Sequence, residues 1–180
     1  RVLVLARAVG YVHASIPLAA RTIEAMGQRT GAWDTVITYD AADITAENLA
    51  SYDAVFLAST TGQFLDDPAD PAATAARRKA MLDFIRGGKG LAAIHAATDS
   101  YHGDPPGTPA ASGPPRVLDG GQPLWPEWNR IINGYFKWHW NNPTQIVVKV
   151  EDPTHPINAP FTFINPKTKK HCTLLVSKTV

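Results

Sequence analysis

The sequence predicts an α/β protein whose β-sheet is mostly parallel and carries helices on both faces. Short apolar runs without polar alternation, such as "RVLVLA" at residues 1–6, are typical of strands that are buried on both sides. Segments with helical periodicity lie between these runs, and such alternation indicates βαβ units. The 180 residues have the length of one domain and suffice for a sizeable core.

The elements can be assigned in chain order. Strands are predicted at 1–6, 34–39, 53–58, 90–94 and 144–150, and "CTLLVS" is a candidate last strand. The residues that predict helix starts are Ser15, Thr45 and Asp70, the last followed by a proline that suits a first helical turn. The first helix should end near Gly31 and the third at Gly87 and Gly88. A short fourth helix is predicted at "PEWNRIIN", and the run "ATAARRKA" in the third helix is predicted to face solvent.

The segment 102–124 differs from the rest because proline and glycine dominate it. We predict a long surface loop or lid there, since long loops of this kind usually have a function.

Composition limits the classes of partner and cofactor. Lys and Arg number 17 against 16 Asp and Glu, so neither nucleic acid nor a membrane surface is an expected partner. The sequence has no apolar run of transmembrane length. It also has no glycine spacing typical of a phosphate-binding loop, so no nucleotide cofactor is expected. The single cysteine, Cys172, fits a reducing compartment and favours the cytoplasm. Secretion stays open, because the sequence starts at Arg1 without an initiator methionine.

Polar side chains follow several of the predicted strands at their carboxyl ends, where open parallel sheets bind ligands. His95 directly follows the fourth strand in "GLAAIHAATDS", with Asp99 and Ser100 shortly after it. The other candidates are His13 and Ser15 after the first strand, Thr60 and Thr61 after the third, and His139 between Trp138 and Trp140 ahead of the fifth.

Two chemistries compete for this cluster. Imidazoles with a carboxylate form a typical site for a divalent metal ion, with zinc favoured. Alternatively, the histidines act as general acid and base on a polyol stacked against Trp138 or Tyr101. For any one histidine a simple loop hydrogen bond is the better interpretation, but His13, His95 and Asp99 together favour function. The threonine pair fits a local turn and a ligand contact equally well.

Four ordered motifs, "GYVHASIP", "LASTTGQFLDD", "GGKGLAAIHAATDS" and "NGYFKWHW" followed by "VEDPTHPI", resemble the ThuA-like (trehalose utilisation) family over residues 1–157. The resemblance implies a flavodoxin-like three-layer sandwich of the class I glutamine amidotransferase type. It also implies that His95 stands at the nucleophile-elbow position, where a working amidotransferase has cysteine. Because imidazole does not replace a thiolate in forming a thioester, a Cys-dependent amidotransferase is not expected.

The resemblance further implies a role in carbohydrate catabolism on a trehalose-type disaccharide or its keto derivative, and an enzyme-like domain is favoured. It implies a metal site from His13, His95 and His139. In this hypothesis, His95 is metal ligand or general base and Asp99 orients an imidazole or binds the ion. The predicted substrate contacts are Ser15, Thr60, Thr61, Ser100, Tyr101 and Trp138. The alternative is a non-catalytic sugar-binding or regulatory module, and a homo-oligomer stays open.

Two departures from the family pattern qualify this expectation. The segment 102–124 is longer than the usual link, and family chains usually continue into an acidic and aromatic segment. Residues 1–180 are therefore expected to form a single domain that is truncated at its C-terminus.

Overall fold

A computed structural model describes residues 1–103, 122–134, 136, 152 and 154–157. The chain divides into two compact units, Arg1–Lys137 and Trp138–Val180. All the helices and strands given below belong to the first unit, and the expectation of a single truncated domain stays a prediction. Among the described helices, none combines the length and apolar character that a membrane crossing requires.

The first unit contains a four-stranded parallel sheet. Its strands are β1 (Val2–Leu5), β2 (Thr35–Thr38), β3 (Ala54–Ala58) and β4 (Gly90–Ile94), in the order β2-β1-β3-β4. Leu5 lies opposite both Thr38 and Leu57, and Ala58 lies opposite Ile94. The strands therefore end close together, and the loops that follow them share one edge of the sheet.

Helices cover both faces of this sheet, as predicted. Val4 packs with Ile16 and Ala20 of α1 (Ile16–Thr30) on one face. Leu3 and Leu57 point to the opposite face and share a core with residues of α2 (Ala46–Leu49) and α3 (Pro71–Arg86). Because successive strand residues alternate between faces, each continuous apolar run supplies both cores. The three-layer α/β architecture is confirmed.

The helix starts agree with the sequence except at Ser15. The side chains of Thr45 and Asp70 accept hydrogen bonds from the backbone N–H of Asn48 at 3.1 Å and of Ala73 at 2.9 Å. Ser15 precedes α1 but has φ −78° and ψ −9° and makes no capping bond. A capping side chain usually reaches back from an extended backbone, so Ser15 does not cap its helix.

Strand β4 differs from the prediction of a buried strand. Ala92, Ala93 and Ile94 are exposed, because β4 pairs only with β3 within the described sheet and forms its edge. The predicted strands 144–150 and "CTLLVS" lie outside the described residues.

The two ends of the Pro/Gly-rich segment pair with each other. Strand β5 (His102–Gly103) is antiparallel to β6 (Gln122–Pro123), and α4 (Pro126–Ile132) follows. Trp128 of α4 is fully buried, which fixes this helix to the core of the first unit. Residues 104–121 lie outside the described part, so the prediction of a lid stays a prediction.

In the second unit, the described residues form a turn around Asp152. Its Oδ1 accepts hydrogen bonds from the backbone N–H of Thr154 at 2.9 Å and from the threonine hydroxyl at 2.6 Å. These bonds stabilise the charged carboxylate and lower the pKa of Asp152. His155 Nδ1 accepts a bond from the N–H of Ile157 at 3.2 Å, so this histidine has a local structural partner.

Candidate functional site at the carboxyl edge of the sheet

Hydrogen bonds join the loop after β1 to the loop after β3. The carbonyl of Thr61 accepts bonds from the N–H groups of Val9 at 3.0 Å and Gly10 at 3.4 Å. The Thr61 hydroxyl in turn donates to the carbonyl of Tyr11 at 3.0 Å. The hydroxyl of Thr61, predicted to contact substrate, is therefore used to fix the β1 loop.

A second set of bonds joins the β3 loop to the loop after β4. The N–H of Gly62 donates to the carbonyl of Asp99 at 2.8 Å, and the N–H of Tyr101 donates to the carbonyl of Gly62 at 3.3 Å. Gly62 has φ +64°, and a Cβ there would stand 2.8 Å from the N atom of Gly10. Only glycine fits this position without strain, so Gly62 lets three loops meet at one edge.

His95 occupies a sharp strand-to-helix turn. It follows β4 directly, has φ +53° and begins a single 3₁₀ turn, His95–Thr98. A left-handed backbone is unfavourable for a residue with a Cβ by about 1–2 kcal/mol, and such strain concentrates at functional positions. The turn has the geometry that a nucleophile elbow requires, although the residue on it is an imidazole.

The tertiary structure brings His13 and His95 into contact. Their ring centroids lie 4.6 Å apart with the planes at 86°, and Tyr11 meets His13 with centroids 4.8 Å apart. The Nδ1 atom of His13 is buried and has no hydrogen-bond partner within the described part of the chain. Because buried polar atoms are nearly always paired, this nitrogen is a candidate contact for a ligand.

Asp99 lies within the electrostatic influence of two histidines. Burial raises the pKa of its carboxyl, while the electrostatic interactions with His102 and His13 act in the opposite direction. Asp99 therefore interacts electrostatically with His13, and its predicted role in orienting an imidazole stays a prediction. His102, which was not among the predicted site residues, also interacts electrostatically with Asp99.

The predicted hydroxyl contacts have different surroundings. Thr60 is fully buried, and its Oγ1 has no partner among the described residues. Ser100 is also buried, but its Oγ donates to the carbonyl of Ala97 at 2.8 Å and accepts from Trp128 Nε1 at 2.9 Å. Ser15 is exposed and close in sequence to His13. Thr60 thus has the least satisfied hydroxyl of the set.

Tyr101 lies in the core, which differs from its predicted role as a stacking surface. Its side chain is fully buried, and its hydroxyl accepts from the N–H of Leu65 at 3.0 Å and donates to Asp66 Oδ1 at 3.0 Å. Burial raises the pKa of this phenol. Since the ring has no open face, it offers no stacking surface to a sugar in this structure.

An ion pair behind the site was not found from the sequence. Arg78 binds both carboxylate oxygens of Asp66, and its guanidinium lies 4.7 Å from the ring centroid of Tyr101 and 5.1 Å from that of Trp125. The prediction that "ATAARRKA" faces solvent is therefore wrong at Arg78, which packs on these two rings. No local pattern marks the pair, because its members come from a loop and from the middle of α3.

The described residues do not complete a metal site by themselves. No group of three or more His, Cys, Asp or Glu side chains placed to hold an ion occurs among them. His13 and His95 offer two imidazoles, whereas protein zinc sites use three or four protein ligands. His139 and Trp138 lie outside the described residues, so the predicted metal set is untested.

The fold and this edge define a class of protein: a doubly wound, flavodoxin-like α/β sandwich with imidazole at the strand-to-helix turn. The family model described as "ThuA: Trehalose utilisation" matches residues 1–165, and the chain belongs to this family. The resemblance found in the sequence motifs is confirmed.

One solved structure, a ThuA-like protein from Bacteroides uniformis, is similar at 19% sequence identity with a TM-score of 0.59. The match covers 87% of this chain and 53% of the other, so the chain spans about half the length of that relative. At this identity the likeness shows the fold alone. No curated protein matches the chain.

Proposed function

We propose that this chain acts on a trehalose-type disaccharide or its keto derivative at the carboxyl edge of the sheet. Membership of a trehalose utilisation family supports a role at that level. The contact between His13 and His95, with ring centroids 4.6 Å apart and a buried, unpartnered Nδ1 on His13, is the observation that carries the proposal. The two rings come from different loops, so their contact is a product of the fold.

The paired imidazoles suit acid–base chemistry on sugar hydroxyl or keto groups. Histidine titrates near neutral pH, so one ring can accept a proton from a hydroxyl while the other donates one. Asp99, whose carboxyl interacts electrostatically with His13, would stabilise the protonated imidazole. Thr60 would use its unpartnered hydroxyl to bind a substrate oxygen.

A Cys-dependent amidotransferase is not the proposed activity. His95 stands at the strand-to-helix turn, and imidazole cannot form the thioester on which glutamine hydrolysis by these enzymes depends. A divalent ion, with zinc favoured, would need further ligands in addition to these two imidazoles. Such an ion would polarise a substrate oxygen, and no step above depends on it.

Titration calorimetry with trehalose on the full chain tests the proposal. We expect His13→Ala and His95→Ala each to weaken binding at least tenfold. His155→Ala is a matched control, because His155 is exposed in a turn and should leave affinity unchanged. Absence of trehalose binding to the unmodified chain, or equal binding in all the variants, contradicts this use of the histidines.

The second candidate function is a non-catalytic sugar-binding or regulatory module, because His13 Nδ1 and Thr60 Oγ1, unpartnered among the described residues, would serve to bind sugar hydroxyls without any chemical step. NMR spectra of trehalose or its keto derivative, recorded during incubation with the chain, distinguish the enzyme from the binding module. Conversion that disappears in His95→Ala supports the enzyme. Tight binding without conversion, retained when both histidines are replaced, supports the module. Metal analysis of purified chain and of His95→Ala then tests the divalent ion.

A further inference from the structure

We infer that Tyr11 supplies the aromatic surface against which a sugar ring stacks beside His13 and His95. The inference rests on the proposed function and adds a specificity-determining residue to it. Stacking was expected from Tyr101 or Trp138, but Tyr101 is fully buried and Trp138 lies outside the described residues.

The loop between β1 and α1 exposes large apolar side chains next to the histidines. Val9 is 52% exposed, Tyr11 72% and Val12 67%. One such side chain on a surface needs no explanation. Three within four positions form a small apolar surface at the edge of the sheet where parallel α/β folds bind ligands.

The backbone beneath this apolar surface is held in place. The carbonyl of Tyr11 accepts the Thr61 hydroxyl at 3.0 Å, and the N–H of Val9 donates to the carbonyl of Thr61 at 3.0 Å. A Cβ at Gly10 would stand 3.1 Å from Thr61 Oγ1, so this loop lies directly against its neighbour. A loop that is already ordered loses less conformational entropy when a ligand binds.

The ring of Tyr11 lies next to the two imidazoles proposed as acid and base. Tyr11 meets His13 at 70° with centroids 4.8 Å apart, and His13 meets His95 at 86° with centroids 4.6 Å apart. The three rings form a continuous row with His13 in the middle, and both end residues, Tyr11 and His95, are exposed. A disaccharide that places one unit at the imidazoles would bring the other unit to Tyr11.

The chemistry of the two partners is complementary. An aromatic face carries negative partial charge and attracts the weakly positive C–H groups on one side of a pyranose ring. A tyrosine also presents a phenolic hydroxyl for a hydrogen bond at the edge of its ring. Ligand sites typically combine such an apolar wall with a few placed polar groups, here the histidines and Asp99.

Titration calorimetry with trehalose is compared for the full chain, Tyr11→Ala, Tyr11→Phe and Tyr39→Ala. Tyr39 follows β2 at the same edge and is 55% exposed, but it makes no ring contact with His13 or His95, so it is a matched control. We expect Tyr11→Ala to weaken affinity about tenfold, Tyr11→Phe to stay within about threefold and Tyr39→Ala to leave it unchanged. In saturation-transfer-difference NMR, the transfer from aromatic protons of the protein to C–H protons of trehalose should fall in Tyr11→Ala and not in Tyr11→Phe or Tyr39→Ala.

The outcomes separate the inference from the proposed function. Unchanged affinity and saturation transfer in Tyr11→Ala, together with lost binding in His13→Ala, overturn the role of Tyr11 and leave the histidine site standing. Failure of the unmodified chain to bind trehalose overturns both. An equal loss in Tyr11→Ala and Tyr39→Ala also overturns the inference, because contact with the histidine row would then not matter.

Discussion

Replacing Tyr101 with phenylalanine tests the cluster behind the candidate site. The substitution keeps the buried ring but removes a hydroxyl that accepts from the N–H of Leu65 at 3.0 Å and donates to Asp66 at 3.0 Å. Asp66 keeps its bonds to Arg78, whereas the Leu65 N–H loses its acceptor in a fully buried environment. An unsatisfied buried donor costs about 1–3 kcal/mol, so we expect the free energy of unfolding to fall by about 2 kcal/mol.

Urea unfolding followed by tryptophan fluorescence measures this loss, with thermal unfolding as a second readout. A change of about 2 kcal/mol should lower the melting temperature by about 4–8 °C in a protein of this size. Tyr39→Phe is the control, because that tyrosine is 55% exposed and should change stability by less than about 0.5 kcal/mol. If Tyr101→Phe is as stable as the unmodified chain, the hydroxyl does not hold the loop and the reasoning fails.

Three further predictions concern stability. Asp70→Ala removes a helix cap and should lower the free energy of unfolding in urea by about 1 kcal/mol. Ser15→Ala removes no capping bond and should lower it by less than half as much. Equal losses in the two variants would contradict the assignment of Asp70 as the capping residue. Gly62→Ala should destabilise the protein clearly more than Gly88→Ala. Both glycines have positive φ, but only at Gly62 would the added methyl group meet neighbouring backbone. Equal urea midpoints for the two variants would refute this steric clash. Burial raises the pKa of Asp99 above its ordinary value of 3.8, so the folded state holds this proton more tightly and loses stability as pH rises through the raised pKa. Asp99→Asn should therefore weaken this fall in urea midpoints measured from pH 3.5 upwards, and an unchanged pH profile would count against a buried carboxyl.

The architecture could largely be predicted because its signals are local. Each apolar run from β1 to β4 and each proline or capping residue at a helix start acts over a few residues, as at Asp70. The exposure of β4 could not be predicted in this way, because burial depends on which strands become neighbours. Ser15 shows the same limit on a smaller scale, since a capping residue type caps only when its backbone is extended.

The candidate site could be predicted as a location and only in part as a set of contacts. The position of His13, His95 and Asp99 after parallel strands placed them at one edge, and the structure brings the two imidazoles together. Tyr101 was expected at the same edge, yet its backbone at φ +55° accompanies a side chain that lies in the core.

The sequence by itself determined the parallel α/β fold, the family and the edge of the sheet where polar side chains gather, because periodicity, capping and motif order are written in consecutive residues. The tertiary structure alone decided which side chains meet: the contact of His13 with His95, the burial of Tyr101 against Arg78, and the exposure of Tyr11 beside the histidines. The physical reason is that such contacts join residues far apart in the chain. They depend on how the loops after β1, β3 and β4 pack against each other, and no local pattern encodes that packing.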